Sequence, residues 1–66
     1  MIFPERLKQL RQKKGLTQQE IAELLGVKRN TYSDWENGKT EPNFETLLKL
    51  ADLFEVSLDW LFGRDK

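Results

Sequence analysis

The chain has no cysteine and no histidine among its 66 residues. Without thiols no disulfide can form, and without thiol or imidazole the usual zinc ligands are missing. The side chains that most often serve as nucleophile or general base at neutral pH are missing with them. There is also no glycine-rich phosphate loop, no H-E-x-x-H and no nucleophile elbow. Eleven carboxylates remain, scattered among eleven basic residues, which describes a salt-bridged surface better than a catalytic pair. No enzyme, metal or cofactor is therefore expected. No apolar run approaches the roughly 20 residues of a membrane span. The opening MIFPERLKQL lacks the basic-then-apolar pattern of an export signal, so a cytoplasmic protein is expected.

What is present reads as one small all-helical domain spanning residues 1–66, with no room for a separate effector or catalytic domain. Five short helices are expected. The first runs from about Pro4 to Lys14 and stops at Gly15, burying Phe3, Leu7 and Leu10 and turning Arg6, Lys8, Lys13 and Lys14 toward solvent or phosphate. A fourth begins after Asn43 as N-cap, with Phe44, Leu47, Leu48, Ala51 and Phe54 as its stripe and Leu50 and Leu53 widening it. Ser57 caps a fifth through Phe62, ended by Gly63, and the tail from Arg64 to Lys66 is expected to fray.

Residues Thr17 to Gly38, TQQEIAELLGVKRNTYSDWENG, carry the strongest pattern. Thr17 and Glu20 form a T-x-x-E capping box that fixes the start of a second helix. Ile21, Ala22, Leu24 and Leu25 lie on or beside one of its faces, and Gly26 lets the chain turn within a few residues. A third helix follows, from about Lys28 to Asn37. Turning each residue about 100° from the last places Tyr32 and Trp35 inward and Asn30 and Asp34 outward, with Arg29 and Thr31 flanking them and Ser33 at the edge. Tyr32 and Trp35 are expected to pack in the core; the alternative is a hydroxyl or indole N–H on a phosphate. Two short helices across a glycine turn are the layout of a helix-turn-helix, whose second helix enters the DNA major groove by its N-terminal end.

The segment resembles the phage-repressor and Cro-like helix-turn-helix of the xenobiotic-response-element type. The resemblance rests on Gln18, Ile21, Ala22, Leu25, Gly26, Val27, Tyr32 and the string Trp35-Glu36-Asn37-Gly38. It extends over the flanks, Arg6 to Gln18 and Glu41 to Gly63. It implies a lambda-repressor-like five-helix bundle and a sequence-specific regulator of transcription, in the main a dimeric repressor at a two-fold-related operator. It places Arg29, Asn30 and Asp34 toward the groove, with Gln18 and Lys28 as nearby phosphate or base contacts; Thr31 and Lys39 complete the DNA-binding candidates. It also implies a partly buried ion pair between Arg11 and Glu36, and pairing of subunits through the C-terminal region, where Trp60 is either the lid of the core or part of the interface. The alternative function is an antitoxin-like module that holds a protein partner and binds DNA to regulate itself.

The residue types suit the reading. Arg29 can donate a bidentate pair to guanine O6 and N7, and Asn30 can pair with adenine N6 and N7. Lys28 stands where many relatives have a Ser or Thr cap, so the third helix should begin without a side-chain cap. Asp34 places an acid near phosphates, and it is expected to brace Asn30 one turn earlier or to accept from cytosine N4. Formal net charge is zero, but residues 1–39 hold eight basic and five acidic side chains, whereas 40–66 hold three basic and six acidic. The basic half carries the helix-turn-helix, which suits a modest non-specific attraction to DNA.

Overall fold

A computed structural model of the chain describes residues 2–64. It contains α1 (Ile2–Lys13), α2 (Gln18–Leu25), α3 (Arg29–Glu36), α4 (Phe44–Phe54) and α5 (Leu58–Leu61), and no strand among the described residues. The expected fraying of the tail falls at Asp65 and Lys66 outside the described residues.

Local chemistry sets most of the boundaries. At the start of α2 the Thr17 hydroxyl accepts from the Glu20 N–H while the Glu20 carboxylate accepts from the Thr17 N–H, so two otherwise orphaned donors are satisfied reciprocally. Gly26 closes the helix at φ 74°, in the left-handed region, and the chain re-enters a helix three residues later. Asn43 and Ser57 cap α4 and α5 through their side-chain oxygens. The end of α4 is different: Glu55 takes φ 56°, a conformation costly for a residue with a Cβ.

The core is built from Leu7 of α1, Ile21, Ala22 and Leu25 of α2, Tyr32 and Trp35 of α3, and Leu50 and Phe54 of α4, with Leu61 of α5 also fully buried. Burying such side chains contributes about 1.5 to 3 kcal/mol each. Helix α3 packs against both α1 and α2, which holds its inner face and leaves its outer face to solvent.

Three apolar assignments differ from the periodicity reading. Leu24 is 62% exposed. Ile21, Ala22 and Leu25 centre the buried stripe roughly 100° around the helix from Leu24, so it falls off the inner face. On α4 the stripe is centred on Leu50, which is fully buried, together with Phe54 and Leu47, while Phe44 is 69% and Leu48 42% exposed. Helix α1 also begins earlier than expected, with Pro4 inside its first turn and buried, where a missing N–H costs nothing.

Candidate nucleic-acid interface

Helix α3 shows two faces. Tyr32 and Trp35 pack edge to face in the core, their ring centroids 5.7 Å apart, and anchor it from within. Arg29, Asn30 and Thr31 of its first turn are exposed, preceded by exposed Lys28 as N-cap in extended conformation. Lys28 makes no side-chain cap bond, so the first-turn amides keep their N–H groups without a side-chain acceptor, and an anion there meets the positive end of the helix dipole. Lys39, beyond the end of α3, is exposed as well, its own N–H bonded to the Asp34 carbonyl.

Within that row Arg29 Nη2 donates to Asn30 Oδ1 at 3.0 Å. The bond uses one lone pair of the Asn30 carbonyl and leaves its NH₂ and the remaining guanidinium N–H groups available for base edges. Asp34 is half-buried, and among the described residues its carboxylate makes no hydrogen bond or ion pair. The expected brace from Asp34 to Asn30 is therefore not formed; Asn30 is held instead through its oxygen, which accepts from the neighbouring Arg29 guanidinium.

Behind the exposed row lies a polar hub centred on Glu36, the last residue of α3. Arg11 Nε donates to Glu36 Oε2 at 2.6 Å and Nη2 to Oε1 at 3.2 Å, while Nη1 donates to the Leu16 carbonyl at 2.9 Å. The side chains of Arg11 and Glu36 are 13% and 2% exposed. Tyr32 donates its hydroxyl to Glu36 Oε2 at 2.6 Å, and Gln18 Nε2 donates to Oε1 at 3.1 Å. Tyr32 thus does more than pack: its hydroxyl is occupied by Glu36 rather than turned out toward a phosphate. The i, i+4 spacing of Tyr32 and Glu36 was the signal that could have revealed this bond. Gln18, half-buried, has one amide N–H committed to the hub and one polar edge left.

The electrostatics follow from this geometry. Burial alone pushes the Glu36 carboxyl up, but the bonds from Arg11, Tyr32 and Gln18 outweigh it and hold the group below its ordinary value. The same carboxylate raises the Arg11 guanidinium, first through their hydrogen bond. Tyr32 is pushed up by burial and further by its bond to Glu36.

Trp60 of α5 is half-buried. The Arg6 guanidinium lies 4.4 Å from its ring centre, and Arg6 Nη1 donates to its carbonyl. Arg6 is thereby drawn from the solvent face where the sequence placed it. Nothing local could have shown this pair, since 54 residues separate its members. The larger exposed apolar side chains are Ile2, Leu24, Phe44, Leu48 and Phe62. Phe62 stacks on Phe3 at 5.3 Å, and both line a 170 Å³ pocket with Pro4, Pro42 and Leu47.

Comparison with known proteins agrees with this geometry. A family model described as helix-turn-helix matches residues 7–61. The HTH-type transcriptional regulator ImmR of Bacillus subtilis (strain 168) is 46% identical over 66 residues, covering all of this chain and 52% of that protein. The chain spans about half the length of the curated relatives it matches. The crystal structure of the P22 c2 repressor in complex with synthetic operator 9T superposes with a TM-score of 0.88 at 34% identity, covering 98% of both chains. A transcriptional regulator from Listeria innocua gives a TM-score of 0.89 at 39% identity, over 97% of this chain and 60% of that one. The chain belongs to the helix-turn-helix family of phage repressors and Cro-like regulators, and its five helices have the lambda-repressor-like fold.

Proposed function

We propose that residues 1–66 act as a single DNA-binding domain of a cytoplasmic transcriptional regulator, which reads double-stranded DNA through the N-terminal half of α3. The observation that carries this reading is the exposed row Lys28, Arg29, Asn30 and Thr31 at an uncapped helix start, held from behind by Tyr32 and Trp35. Arg29 and Asn30 read base edges, Lys28, Lys39 and Gln18 meet phosphates, and Thr31 borders the contact. The likeness to the P22 c2 repressor, whose structure was determined on operator DNA, supports the same mode here.

One short reading helix touches too few base pairs for useful genomic specificity, so the regulator binds as a homodimer at two half-sites about one helical turn, roughly 34 Å, apart. Trp60 is half-buried under Arg6, whereas Phe44 and Leu48 of α4 and Phe62 after α5 remain exposed, with Phe62 on the wall of the apolar pocket. The pairing face of the dimer is accordingly assigned to these three rather than to Trp60. Binding there represses by excluding polymerase.

Selection of sites from random DNA at a fixed salt concentration, followed by footprinting, tests the proposal. Two symmetric half-sites are expected for the wild type, and Phe44→Glu should reduce occupancy of the paired site far more than that of a single half-site. A single asymmetric half-site holding one monomer contradicts the dimeric reading.

A further inference from the structure

Glu36 receives more hydrogen bonds than an ion pair requires. Its two oxygens accept from Arg11 Nε and Nη2, from the Tyr32 hydroxyl and from Gln18 Nε2. Arg11 joins α1 to α3, and Tyr32 braces Glu36 from within α3. Gln18 differs from them, because it lies on a third helix, as the half-buried first residue of α2. Around it, the capping box satisfies the N–H groups of Thr17 and Glu20, while those of Gln18 and Gln19 in the first turn receive no side-chain acceptor.

The Gln18 amide has two N–H donors and one carbonyl acceptor. One N–H points at a carboxylate oxygen of Glu36 at 3.1 Å. Flipping the amide would set Oε1 against that oxygen, two acceptors in contact, so only one orientation is compatible with the ionised hub. The side on which the second N–H is offered is thereby fixed before any ligand arrives. A group held in its bound orientation loses little freedom on binding, and groups behind a contact routinely supply such fixation.

We infer that Glu36 is a positioning residue for DNA: its buried carboxylate locks the Gln18 amide so that the free N–H meets a backbone phosphate at the N-terminus of α2. Glu36 itself does not touch the DNA, its side chain being 2% exposed. This inference rests on the DNA-binding reading above. It gives the hub a role in recognition as well as in stability, since the residue that ties α1 to α3 also orients a contact on α2.

Two measurements on the full chain test it. In the free protein, the side-chain amide resonances of Gln18 should lie apart from those of exposed Gln9 and Gln12, and Glu36→Gln should move them toward the exposed positions. Coincidence of Gln18 with the exposed glutamines in the wild type overturns the inference with no variant required. In operator titrations well below the melting temperature, Gln18→Ala should weaken binding about three- to tenfold, the effect of one hydrogen bond. In the Glu36→Gln background the same change should weaken it less than twofold. Equal losses in the two backgrounds overturn the positioning role while leaving DNA binding intact. A wild type without preference for any selected DNA overturns the functional reading itself.

Discussion

The guanidinium of Arg6 lies 4.4 Å from the ring centre of Trp60, and the same side chain donates a hydrogen bond to the Trp60 carbonyl. The first helix is thereby fastened to the last, and the tryptophan is engaged within its own chain. Arg6→Ala is predicted to lower stability by about 1 to 2 kcal/mol, through the lost cation–π contact and the lost hydrogen bond to a carbonyl that keeps the Gly63 N–H. Urea unfolding reads the change. If Trp60→Ala weakened dimerisation and left monomer stability unchanged, Trp60 would belong to the subunit interface instead.

Glu36→Ala is predicted to cost about 3 kcal/mol, because it strands the Arg11 guanidinium in a site 13% exposed. The acid limb carries the same signature. The folded carboxyl is held below its ordinary value of 4.5, so the stabilisation it gives is fully present above that value and is lost as pH falls through the folded pKa. Glu36→Gln should start less stable at neutral pH and lose less on acidification. Thermal melts from pH 7 to pH 2 compare the two slopes; parallel curves would mean that the carboxylate is fully solvated.

Tyr32 is the single tyrosine of the chain, which makes its ionisation directly visible. Burial and the bond to Glu36 raise it above its ordinary 10.0. The unfolded chain therefore loses the proton first, and stability should fall as pH rises past that value. Phenolate absorbance should appear together with unfolding rather than before it. A phenolate signal at pH 10 with the helical circular dichroism intact would place the hydroxyl in solvent.

Much of this arrangement is legible in the sequence, and the remainder fails for identifiable reasons. Capping boxes and turn glycines act within four residues, so Thr17, Gly26, Asn43 and Ser57 mark their helix ends in advance. The end of α4 has no such mark because Glu55, not glycine, takes the left-handed conformation. Periodicity locates an apolar face only to within its edges, which is why it places Leu24, Phe44 and Leu48 on buried stripes although they stand exposed. The pairing of Arg6 with Trp60 and of Gln18 with Glu36 depends on how helices cross, which spacing along one helix does not encode.

Asp34 offers a separate test of the exposed row, since among the described residues its carboxylate is unpaired and Asn30 is held by Arg29 instead. Asp34→Asn removes a charge that repels phosphates while keeping nearly the same shape. Affinity for selected and random DNA should rise together, with their ratio unchanged. A fall in the ratio would show that Asp34 accepts a hydrogen bond from a base.

The most direct test of the central claim, that α3 reads DNA through its exposed first turn, is Arg29→Ala titrated against selected and random DNA at two salt concentrations. The substitution should cost about 1 to 3 kcal/mol per half-site on the selected sequence and relax preference at one base pair, with a smaller loss on random DNA. Equal losses on both, with no base preference altered, would contradict base reading by α3 and reduce Arg29 to a phosphate contact.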